Sequence, residues 1–71
     1  MTNPTLSDAA SRATAADLAV EGRFLLFKSA LTIGNPALIE AARLDAEAAF
    51  AARLDAWSAL YVTAKAQPPH G

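Results

Sequence analysis

The sequence predicts an all-α protein: two long antiparallel helices joined by a tight turn, an αα-hairpin that dimerises into a four-helix bundle or packs into a larger helical assembly. Three observations predict it. The apolar fraction is 54% and much of it is alanine, the strongest helix former, with few β-branched residues beside it. Between Thr5 and Ala66 the helix breakers gather at one place, Gly34-Asn35-Pro36, apart from Gly22. On both sides of that break, apolar residues recur at steps of three and four, the period of one helix face.

The chain divides accordingly into helix 1 at about 5–33, a turn at 34–35, helix 2 at about 36–66 and a loose tail at 67–71, together one hairpin domain. Helix 1 has two possible starts. Asn3 can cap with Pro4 in the first helical position, or Thr5 can cap with Asp8 three residues on. Gly34 offers the left-handed residue that ends many helices, and Asn35-Pro36 repeats the cap chemistry of Asn3-Pro4. The echo of AARLDA at 41–46 and 51–56 has a spacing of ten, which does not return to the same helix face, and is read as compositional. The antiparallel register puts together residues whose numbers sum to about 70. Asp17 then meets Arg53, Arg23 meets Glu47 and Lys28 lies near Glu40, while Phe24 falls opposite Ala46, Phe50 opposite Val20 and Trp57 opposite Ala13.

The stretch Leu18–Ile33, LAVEGRFLLFKSALTI, is apolar on two opposite sides. One seam, Ala13, Ala16, Val20, Phe24, Phe27 and Leu31, is expected to form the hairpin core with Ile39, Ala46, Phe50, Leu54, Trp57 and Tyr61 of helix 2. The other, Ala15, Leu18, Gly22, Leu25, Ser29 and Thr32 with Leu26 and Ile33 beside it, is expected to be a partner interface. Gly22 carries that reading, since a mid-helix glycine costs about 1 kcal/mol relative to alanine and small residues repeat at 15 and 29. A 71-residue hairpin rich in alanine gains little from burial against an ordering cost of roughly 1.5 kcal/mol per residue, so a homo-oligomer or a place in a larger assembly is expected.

The chemistry-bearing residues form no catalytic pattern. There is no cysteine, and the one histidine, His70, stands beyond the second helix in a Pro-Pro segment that lacks PxxP spacing. No Glu-x-x-His pair is present, as a di-iron bundle would need, and no glycine-rich phosphate loop. Asp17/Glu21 and Glu40/Arg43/Glu47 read as solvated strips, Trp57/Tyr61 as packing. No catalytic residue, cofactor or metal is therefore expected, and no enzyme. The net charge of −1 with interspersed signs speaks against nucleic acid as a partner, and no apolar run reaches the roughly 20 residues of a membrane span. The opening MTNPTLSDAASR lacks the basic and apolar regions of a secretory leader, so a cytoplasmic location is the default expectation.

The function expected is non-enzymatic, an interaction or structural protein such as a bacterial adaptor or a phage-type particle component. Two alternatives keep the same fold. One is a small nucleic-acid-binding hairpin dimer, whose topology resembles that of the small plasmid proteins that bind RNA loop pairs; Gly22-Arg23-Phe24 is its basic-aromatic step. The other is an amphipathic binder of lipid or granule surfaces.

Overall fold

Helix α1 runs from Leu6 to Ile33 and helix α2 from Pro36 to Ala66, in a computed structural model that describes residues 5–66. The two helices pack against each other, and there is no strand among the described residues. The Asn3-Pro4 cap, Pro68-Pro69 and His70 lie outside the described residues, as does the expected loose tail.

Each helix boundary has a local cause. The Thr5 hydroxyl accepts the Asp8 amide at 3.0 Å, which satisfies one of the orphan donors of the first turn. At the other end Gly34 takes φ 82°, ψ 13°, and its amide donates to the Ala30 carbonyl at 2.9 Å. A side chain at that left-handed position would clash with the backbone, which is why glycine stands there. Asn35 then opens α2, its side-chain oxygen accepting the amides of Ala37 at 3.0 Å and Leu38 at 3.2 Å. Pro36 fits the first helical position because no amide is needed there.

The contact between the helices is made of alanine. Ala9, Ala13, Val20 and Ala30 of α1 and Ala42, Ala46 and Ala49 of α2 are the buried residues. Half-buried Ala16 and Phe27 continue the line on α1, and Ile39, Ala56, Leu60 and Thr63 continue it on α2. The steps are three or four, with one step of seven on each helix, from Val20 to Phe27 and from Ala49 to Ala56, a heptad seam in which small side chains let the backbones approach closely.

This displaces the expected hairpin core. Val20 is buried and Phe27 and Ile39 are half-buried, but Phe24, Leu31, Phe50, Leu54, Trp57 and Tyr61 remain exposed, Leu54 at 69% and Tyr61 at 63%. The reason is steric. A seam of aromatic residues between two helices would hold their axes apart, whereas the alanine line beside it allows a short interaxial distance. Side-chain size marked the flank of the contact, and alanine marks its centre.

The charge pairs expected across the hairpin are also absent. Both ion pairs among the described residues lie within α2, where Arg43 bonds Glu40 at 2.7 Å and also Glu47. Asp17 accepts instead from Trp57 Nε1 at 2.9 Å, and Phe24 meets Phe50 edge-on at 6.2 Å between ring centroids. These contacts establish the antiparallel direction. They also sit one helical turn away from the partners expected for Trp57 and Phe24. Side chains tilt toward the N-terminus of their own helix, so long side chains on antiparallel helices lean past their backbone neighbours.

Candidate functional site

The hairpin is a slab one helix thick, 57 × 20 × 13 Å, so its functional surfaces are faces rather than cavities. Exposed apolar side chains include Leu44 and Val62 on the outer side of α2, and three further faces carry more of them.

The first is the outer side of α1, turned away from α2. Leu18 is 65% exposed and Leu25 59%, and Leu26 and Ile33 are exposed beside them. Ala15, Gly22, Ser29 and Thr32 lie on the same side and are also exposed. The Thr32 hydroxyl donates back to the Lys28 carbonyl at 3.1 Å, which leaves its methyl group outward. A Cβ built on Gly22 would meet no atom within 4 Å, so nothing inside the chain requires glycine there.

The second face is the aromatic flank, to which both helices contribute. Phe24 packs on Phe27 at 6.3 Å as well as on Phe50, and Trp57 is anchored on Asp17. Basic side chains fold onto the rings from the next turn: Lys28 Nζ over Phe24 at 4.8 Å, Arg53 over Phe50 at 5.4 Å and Lys65 over Tyr61 at 5.8 Å. Such contacts contribute about 0.5–1 kcal/mol at exposed sites. A groove of about 580 Å³ runs along this flank, lined by Asp17, Val20, Glu21, Phe24, Phe50 and Arg53 among others. Asp17 and Glu21, expected as a solvated strip, thus form the acidic wall of an apolar groove whose opposite wall carries Arg53.

The third face, near the turn, is a smaller groove of about 250 Å³ between Leu26, Ser29 and Ile33 of α1 and Leu38, Ala41 and Asp45 of α2. It joins the outer side of α1 to α2.

Hydrogen bonding to Arg43, reinforced by its charge, holds the Glu40 carboxyl below its ordinary value, and the same bond pushes the Arg43 guanidinium further up. Glu40 is exposed and Arg43 half-exposed, so the cluster is a helix-surface brace of i,i+3 and i,i+4 pairs. No three His, Cys, Asp or Glu side chains gather as a metal cluster among the described residues, and no helix there is long and apolar enough to cross a membrane.

The sequence reading missed the aromatic flank as a surface, because it assigned those side chains to the interior. The signal that could have found it is the heptad of Ala42, Ala46, Ala49 and Ala56, a line of small residues beside the bulky one, broken by Arg53. No family model, curated protein or solved structure matches this chain.

Proposed function

We propose that this chain is a non-enzymatic assembly protein, an oligomeric helical hairpin that joins itself or a larger complex through the Leu18-Gly22-Leu25-Ser29 face of α1. Gly22 is the observation that carries the reading. It sits in the middle of a 28-residue helix, where it costs about 1 kcal/mol relative to alanine, and no neighbour within the chain occupies the space a Cβ would fill. A close approach from outside the chain accounts for it. Leu18 and Leu25, a turn to either side, supply apolar surface that a closely crossing helix would cover.

The test is Gly22→Leu, with circular dichroism and light scattering read together. The expected result is helix content close to the parent's with loss of the species assembled through this face, because the leucine points into open space in the single chain. Normal assembly by Gly22→Leu would remove this face from the function.

A further inference from the structure

We propose that a second copy of this chain docks on the aromatic flank. The two hairpins lie in the same direction with their turns together, closing a four-helix bundle around Phe24, Phe50, Leu54, Trp57 and Tyr61. This deepens the assembly reading and rests on it: the flank closes the dimer, and the outer side of α1 joins dimers to one another or to the larger complex.

Thickness is the first argument. A hairpin 13 Å deep is one layer of helices, whereas a stable domain needs two packed layers around a core. The flank can supply that core, because both helices present bulky side chains along most of its length, whereas the groove near the turn sets only Leu26 and Ile33 against Leu38. A two-fold axis sets such a patch against its own copy.

Area is the second. The chain exposes 5425 Å², against about 4,200 Å² for a compact monomer of 7.4 kDa, an excess of about 1,200 Å². One partner's share of a standard interface is about 800 Å². A single second copy at that share covers about two thirds of the excess.

Charge is the third, and it sets the direction. Glu21 of α1 and Arg53 of α2 line the same groove yet form no ion pair. Arg53 lies over Phe50 instead, and Lys28 over Phe24. With both turns at one end, α1 of each copy runs antiparallel to α2 of the other in the register the chain already uses. Glu21 then comes level with the second copy's Arg53. The complementarity left unmade inside the hairpin is satisfied between hairpins.

The experiment uses the full chain and its one tryptophan, Trp57, which is 44% exposed in the single hairpin. Sedimentation equilibrium and Trp57 emission are followed across one dilution series. The expected result is a dimer whose formation shifts the emission to shorter wavelength as the flank is covered. Glu21→Arg and Arg53→Glu should each weaken that dimer by about tenfold. An equimolar mixture of the two variants should restore it, because each mixed pair regains both opposite-charge contacts. A pairing inside one chain would not be rescued by mixing. A dimer that forms with no change in Trp57 emission, or variants that do not rescue each other, would overturn the proposal. Should such a dimer be dispersed by Leu18→Glu, the assembly reading stands and the flank is wrong. A wild-type chain that stays a folded monomer defeats the flank, and defeats the assembly reading too if no larger complex retains it.

Discussion

Gly22 is the residue where the single chain and its surroundings disagree most. In the hairpin alone, Gly22→Ala removes backbone entropy and adds a methyl group that touches nothing within 4 Å. The isolated hairpin should therefore gain up to about 1 kcal/mol, or roughly 4–8 °C in melting temperature. If a neighbour approaches closely at Gly22, the assembled form should gain less than the dissociated form. Thermal melts at low and high concentration measure the difference. Equal gains in both forms would leave Gly22 without a role in assembly. A second residue-scale outcome concerns Glu40. Its carboxyl is held below the ordinary value of 4.5, so the folded helix binds the proton less readily than the unfolded chain. That contribution is present above the unfolded value and is lost as pH falls through the depressed one. Arg43→Ala should return the Glu40 titration, followed by NMR, toward 4.5 and reduce the loss of helicity on acidification. An unmoved titration would assign the depression to something other than Arg43.

At the scale of the elements, the turn is where sequence determines structure most directly. Gly34 takes the left-handed conformation and Asn35 accepts two amides of the next helix, both as the residue types imply. Asn35→Ala leaves those donors to water and should destabilise the hairpin by about 1 kcal/mol, and Gly34→Ala by a similar amount through strain at positive φ. Urea unfolding of each variant checks this; an unchanged midpoint for Asn35→Ala would mean that the cap contributes nothing. The choice of helix face was less legible. Period and charge place apolar residues on a face, but they do not say whether the axes are held apart by Phe24, Phe50 and Trp57 or allowed together over Ala13, Ala46 and Ala49. Both seams satisfy the same three–four spacing, and they lie side by side on each helix. The alanine line wins because a two-residue turn starts the helices close together, and small side chains let them stay so. The outer side of α1 was legible because nothing in a two-helix fold can cover it.

For the whole molecule, the consequence is a hairpin held by seven small buried side chains, Ala9, Ala13, Val20, Ala30, Ala42, Ala46 and Ala49, with most of its large apolar residues outside the contact. Its radius of gyration is 16.4 Å, against about 11 Å for a compact domain of this length. A buried methyl group contributes on the order of 0.8 kcal/mol, which sets so thin a core against the ordering of some sixty residues. Covering the exposed faces supplies what the single hairpin lacks. Stability should then follow mass action, since a partner that binds only the folded form raises the unfolding free energy with its concentration. Thermal unfolding from about 1 to about 100 μM, with mass measured at each concentration, tests this most directly. The account predicts a melting temperature that rises with concentration as the assembled species replaces the monomer. A folded monomer whose melting temperature is the same throughout that range would contradict it.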